Sequence, residues 1–209
     1  SLPSHVTLVA VSKTKPVADL MEAYNAGQRI FGENKIQEMT EKWEQMPKDI
    51  QWHMIGHVQS NKVKYMIPYV SLIHGVDSLK LLKEINHLAT KWRKKVDCLL
   101  QIHIAEEDTK FGLDEKELDE ILKQVQNDND SFSNIRIVGL MGMATFTENQ
   151  EQIKREFLHL KSIFDLHKQH QTSNLKLETL SMGMSGDYQL AIECGSTMIR
   201  IGSSIFGSR

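Results

Sequence analysis

The sequence predicts a single (β/α)8 barrel, and three observations carry that expectation. Strand-like and helix-like segments alternate from end to end, which implies parallel strands joined by crossovers. The strand-like segments number eight, and several are nearly continuous apolar runs, such as CLLQIHI (Cys98–Ile104) and IRIVGLMGM (Ile135–Met143). Such runs suit strands buried on both faces. The length of 209 residues and the 40% hydrophobic content suit one domain, residues 1–209, with a sizeable core. The chain is short against the ~250 residues typical of that barrel.

Each element can be justified in order. The first strand, Thr7–Ser12, runs into Lys13 and is broken at Pro16, ahead of a helical pattern over Val17–Ala26. A second strand at Arg29–Phe31 precedes a helix over Lys35–Gln45. The third, Gln51–Ile55, leads to a short helical stretch, Asn61–Tyr65. The fourth and fifth, Leu72–Val76 and Asp97–Ile104, lead to helices over Ser78–Trp92 and Glu115–Gln126. The sixth, Arg136–Met143, precedes a long helix over Gln150–His170. The seventh, Leu177–Ser181, precedes Asp187–Cys194, and the eighth is Met198–Ile201. Caps and first-turn acids mark helix starts at Asp77-Ser78 and Asp114-Glu115. Gln124–Ser133 (QVQNDNDSFS) reads as a polar loop and the segment most prone to disorder. A doubly wound sheet is the runner-up architecture. No GxGxxG follows the first strand, which weakens its dinucleotide-binding version.

Composition narrows the function. A net charge of −2, with mixed and scattered charges, gives no general nucleic-acid surface. The two cysteines, Cys98 and Cys194, make neither a disulfide framework nor a metal pattern, so a reduced, cytoplasmic compartment is expected. No apolar run reaches ~18 residues, so no membrane span is expected. No signal peptide is expected.

The chemistry concentrates at predicted strand ends, where α/β enzymes keep reactive groups. Lys13 follows an apolar run, so partial desolvation favours its nucleophilic amine and makes it a Schiff-base candidate. In LSMGMSGDYQLAIECGSTMIRIGSSIFG, Ser185 is placed to cap the following helix and offer a hydroxyl. Gly202 and Ser203 follow the last strand, where barrels often hold phosphate on loop amides. The plainer reading makes these ordinary turn and cap residues. Arg200, on the last apolar strand, needs an acceptor, either a structural acid or a bound ligand. Asn34, in FGENKIQE, is placed to cap the next helix and face the central cavity. Met143 ends the sixth strand and could line that cavity. His53 and His57 suggest a metal, but Gly56 interrupts them and no third ligand is evident, so no metal site is expected. His167 and His170, on the long helix, read as solvated.

Taken together, AVSKTKP, FGEN, WHMIGHVQSNK, LSMGMSGD and GSTMIRIGSSIFG resemble the pyridoxal phosphate homeostasis proteins, which are similar to the N-terminal barrel of alanine racemase. The resemblance runs from about Val6 to Arg209. It implies that Lys13 carries pyridoxal 5′-phosphate (PLP) as an internal aldimine. Phosphate contacts would come from Ser185, Gly202 and Ser203, with Asn34 near the cofactor. Arg200 would face the pyridine nitrogen. Lys110 matches a position where racemases place an arginine. Met143 stands where racemases pack a histidine on the ring. By the resemblance, the helix that usually precedes the first strand is expected to be absent or removed, and the racemase C-terminal β domain that supplies a tyrosine base is not expected.

An arginine can only donate, so the pyridine nitrogen it meets is expected to be unprotonated. That ring is a poorer electron sink, which disfavours aminotransferase-type chemistry. By the resemblance, the nearby cation is also expected to favour the neutral Lys13 amine. Lys13 alone reaches one face of a substrate, so two-base racemisation is not expected. The resemblance therefore implies a monomeric, non-catalytic PLP carrier that buffers the cofactor or delivers it to apoenzymes. The alternatives are a weak amino-acid racemase and an unrelated sugar-phosphate barrel enzyme with Lys13 as its Schiff-base lysine.

Overall fold

The computed structural model describes residues 1–107 and 111–208. Eight parallel strands close into a barrel in sequence order: β1 (Thr7–Val11), β2 (Ile30–Glu33), β3 (Gln51–Met54), β4 (Val70–Val76), β5 (Val96–Gln101), β6 (Ile135–Met141), β7 (Leu175–Met184) and β8 (Met198–Ile201). Pairing of Thr7 with Met198 through Ala10 with Ile201 joins the first strand to the last. Helices α1 (Val17–Asn25), α2 (Ile36–Gln45), α3 (Val63–Met66), α4 (Leu79–Lys91), α5 (Glu115–Asn127), α6 (Gln150–His167), α7 (Tyr188–Glu193) and α8 (Ser203–Phe206) each follow a strand. The barrel expected from the alternation is the one observed.

Two apolar layers hold it together. Outward side chains such as Ala10, Phe31, Trp52, Ile73 and Leu140 pack under the helices. Val9, Leu72, Leu99, Met141 and Met198 fill the barrel interior, with Ile30, Ile55 and Met143 packed against them. Successive residues of a strand face opposite sides, so strands covered on both faces must be apolar at nearly every position. The runs read from the sequence have this cause.

Two expected caps form. Ser78 accepts from the Leu81 amide, and Asp114 makes a capping box with Glu117. Each such cap contributes about 1 kcal/mol. Three local expectations are corrected. Residues 124–133 are not simply a polar loop: α5 continues to Asn127, and a 3-10 turn at Asp130–Phe132 buries Phe132 in the core. The long helix stops at His167, whose ring lies 3.2 Å from Asp119 and is mostly buried rather than solvated. The short α8 was not read as a separate helix. Among the described residues, no helix is long and apolar enough to cross a membrane.

Candidate functional site

Strand alternation explains why distant residues meet. Val9 faces the interior, so continuing its period of two places Lys13 on the inner side of the barrel mouth, while Ser12 faces α2. Ile30 faces inward, and the same count brings Asn34 to the inner side. Met143 packs on the interior cluster just beyond β6. Met198 faces inward, and Arg200 follows two residues later. Lys13 and Asn34 are half-buried, and Arg200 is buried.

Arg200 is the best-defined group of the site. Its Nη2 donates to the Gly142 carbonyl at 3.0 Å, and its Nε has no partner among the described residues. Burial pushes its pKa down to about 10, with the Asp187 charge opposing, so it stays cationic at neutral pH. No carboxylate among the described residues forms an ion pair with it.

The two phosphate-type segments are tied together. Ser185 Oγ accepts from the Gly202 amide at 3.3 Å, which joins the loop after β7 to the turn after β8. This corrects the expected helix cap: Asp187 occupies that position, and its carboxylate accepts from the Met184 amide at 2.7 Å. Gly202 is the N-cap of α8 and Ser203, exposed, is its first residue. A Cβ at position 202 would lie 3.1 Å from the Val11 carbonyl, so glycine lets the last strand end close beside the first.

Asn34 does not cap α2 either. Lys35 holds that position, without a side-chain cap. The Asn34 backbone instead lies closely against Gly56, where a Cβ would stand 2.7 Å from the Asn34 carbonyl oxygen. Gly56→Ala is therefore expected to push the Asn34 loop away from the mouth. It should weaken cofactor retention several-fold while the far-ultraviolet circular dichroism stays native; unchanged retention would show that the loop position is immaterial. A cavity of about 370 Å³ opens beside this loop, lined by Asn34, Lys35, His57 and Lys62 among others.

His53 and His57 separate. His57 stacks on Phe111, while His53 is buried and its Nδ1 lies 3.0 Å from His74 Nε2. His74 Nδ1 in turn lies 3.0 Å from Ser181 Oγ. This chain crosses the interior from β3 through β4 to β7. Burial pushes His53 down to about 3, and His74 well below its ordinary value, with His53 and Arg200 adding to the effect. Both rings are neutral at physiological pH. No group of three or more metal-type side chains among the described residues could hold an ion. Sequence reasoning missed this chain; a histidine of inner-face parity within the apolar run Leu72–Val76 was the available signal. Lys110 lies outside the described residues.

The arrangement suits a flat ligand with an anionic end. The Gly202–Ser203 turn and Ser185 offer amide and hydroxyl donors, and Arg200 offers an unsatisfied N–H for an acceptor. Lys13, at the same mouth, offers a primary amine. PLP fits this donor set: its phosphate, pyridine nitrogen and aldehyde each match one of these groups.

Fold and site define a (β/α)8-barrel protein with a basic site at its strand ends. The family model for the alanine racemase N-terminal domain matches residues 2–209. The chain belongs to the pyridoxal phosphate homeostasis proteins of that family. It is 39% identical over 209 residues to the pyridoxal phosphate homeostasis protein of Pasteurella multocida (strain Pm70), covering 99% of this chain and 88% of the relative. The protein of that name from Schizosaccharomyces pombe is 41% identical, with coverages of 98% and 85%. PipY of Synechococcus elongatus PCC7942, solved with PLP bound, is 34% identical with a TM-score of 0.88, covering 99% of this chain and 95% of that one. Alanine racemase from Bartonella henselae shares the fold alone, at 17% identity and a TM-score of 0.71, with 98% of this chain and 55% of that one covered.

Proposed function

We propose that this chain holds pyridoxal 5′-phosphate as a Schiff base on Lys13, and that it buffers or delivers the cofactor without turning over a substrate of its own. The observation that carries this reading is Arg200, a buried guanidinium with an unsatisfied N–H and no carboxylate partner among the described residues. A pyridine nitrogen is an acceptor that would satisfy it. The binding of PLP by PipY supports the cofactor, and the name shared by the relatives supports the role in homeostasis.

When bound, PLP supplies an aldehyde that condenses with a primary amine with loss of water. Lys13 provides the amine. Ser185, Gly202 and Ser203 hold the phosphate, Asn34 borders the cofactor, and Met143 packs near the ring. Methionine carries no proton at neutral pH, so this packing residue cannot serve as an acid or base. Arg200 holds the nitrogen without giving up its proton, so the ring withdraws electrons weakly. Both features favour holding over catalysis. Residues 1–209 act as one cofactor-binding unit, which we read as a cytoplasmic monomer whose recipients are PLP-dependent apoenzymes. The free, buried Cys98 and Cys194 suit a reducing compartment.

Absorption spectroscopy of the protein loaded with PLP tests the reading. A visible band that borohydride abolishes, with the reduced adduct mapped to Lys13, is expected. Lys13→Ala should lack the band and the adduct; an adduct retained elsewhere would overturn the assignment. Steady turnover of D- or L-alanine by the loaded protein would overturn the non-catalytic part.

A further inference from the structure

The layer between β1, β2 and α2 is apolar except at one place. Lys42, in α2, is 5% exposed, and Glu33, at the end of β2, is fully buried. Lys42 Nζ donates to both Glu33 oxygens, at 2.9 and 3.2 Å, to Glu38 Oε2 at 2.6 Å and to the Ser12 carbonyl at 2.8 Å. The Ser12 hydroxyl donates to Glu33. The Thr14 amide donates to Glu38 Oε2 at 2.7 Å. The Lys15 amide closes the turn on the Ser12 carbonyl at 3.1 Å.

We infer that Lys42, with Glu33 and Glu38, is a positioning group for Lys13: it anchors the backbone on both sides of that residue and so aims its amine at the cofactor. The inference rests on the reading of Lys13 as the attachment point.

Stability alone does not account for these charges. A buried ion pair gives little net stability against well-packed apolar residues of similar volume. The neighbouring α2 positions Ile36 and Met39, and Met46 just past the helix end, show that this interface is otherwise built apolar. What the charges hold is specific. Residues 12 and 14 are tethered, and residue 13 lies between them. Thr14 sits at φ +65°, in the left-handed region, which is costly for a β-branched residue. Such a conformation persists only where its surroundings enforce it, and here the Glu38 carboxylate grips its amide. Burial pushes the Glu33 carboxyl up to about 7, against the opposing Ser12 and Lys42 contacts. One lysine is thus shared between two acids, of which Glu38 titrates below its ordinary value. Tyr69, bonded to Thr40 on α2, also feels the Glu33 charge. Misplacing a reacting group by about 1 Å can cost on the order of a hundredfold, so two tethers beside one lysine are well placed to matter.

The test uses the full chain loaded with PLP. Glu38→Ala removes the tether on the Thr14 amide at a side chain about a quarter exposed. Glu38→Gln keeps an acceptor there, and Lys42→Met removes the hub. Three quantities are read: the rate of PLP release, the pH midpoint of the visible band, and the melting temperature of the protein stripped of PLP. Glu38→Ala is expected to release PLP roughly tenfold faster and to displace the midpoint, with the stripped protein melting as wild type. Glu38→Gln should restore both. Release and midpoint unchanged in Glu38→Ala would overturn the inference. So would changes that follow the stripped melting temperature and are not rescued by glutamine. If Lys42→Met does not fold, the Glu38 pair decides alone. Wild-type protein with its adduct away from Lys13 would overturn the functional reading and this inference with it, and that result is read before any variant is made.

Discussion

Arg200→Met is expected to bind PLP ten- to a hundredfold more weakly than wild type while keeping a barrel at least as stable. The two halves of this expectation have separate causes. Methionine fills most of the space of the arginine stem and removes a buried charge that has, among the described residues, one hydrogen bond, to Gly142. Replacing a buried charge with an apolar side chain of similar volume is often neutral or stabilising. The Gly142 carbonyl loses its partner, which offsets part of that gain. The loaded protein loses a charge-assisted hydrogen bond of about 1.5–3 kcal/mol. Equilibrium dialysis of PLP and urea unfolding of the stripped protein check the two halves independently. Native PLP affinity in the variant would show that the guanidinium does not meet the ring nitrogen.

Acid is expected to destabilise the barrel through the His53–His74–Ser181 chain. Both rings are held neutral when folded, and His53 titrates at about 3 against 6.5 in an exposed ring. The folded pKa lies below the unfolded one, so the contribution is complete above pH 6.5 and is lost as pH falls toward 3. Across that window, the His53 ring costs roughly 1.4 kcal/mol per pH unit, and His74 acts in the same direction. Glu33 acts in the opposite sense: raised to about 7 from 4.5, it adds stability below pH 4.5 that is lost as pH rises through 7. A difference measurement separates the two. His53→Gln keeps a hydrogen-bonding neighbour for His74 but does not titrate. Urea unfolding from pH 7 to pH 4 should show a shallower decline in this variant than in wild type. Equal slopes would show that His53 is solvated and titrates normally.

Much of this molecule was legible in the chain itself. A parallel barrel leaves a strong trace because its strands are covered on both faces, so apolar runs such as Ile135–Met141 stand out between amphipathic helices. Strand ends are legible for the same reason, since each run stops where Lys13, Asn34, Met143 and Gly202 begin the mouth. Element boundaries were less so. β7 extends from Leu175 to Met184, well beyond the expected Leu177–Ser181, because barrel pairing with β6 and β8 stabilises residues of weak strand preference.

Side-chain partnership was not legible. Ser185 and Asn34 are residue types that favour helix caps, yet Ser185 bonds the Gly202 amide, and Asn34 lies closely against the Gly56 backbone. His74 and Ser181 stand 107 positions apart, and closure of the barrel alone brings them to 3.0 Å. Lys42 reads in the sequence as an ordinary helix lysine; its role as a hub emerges only when β1, β2 and α2 converge. The order of apolar and polar residues by itself determined the barrel and the mouth to which Lys13 and Arg200 belong, because burial on two faces is a property of each strand separately. Which polar groups touch was decided by the tertiary structure, because a hydrogen bond depends on ångström distances between strands that no local pattern encodes.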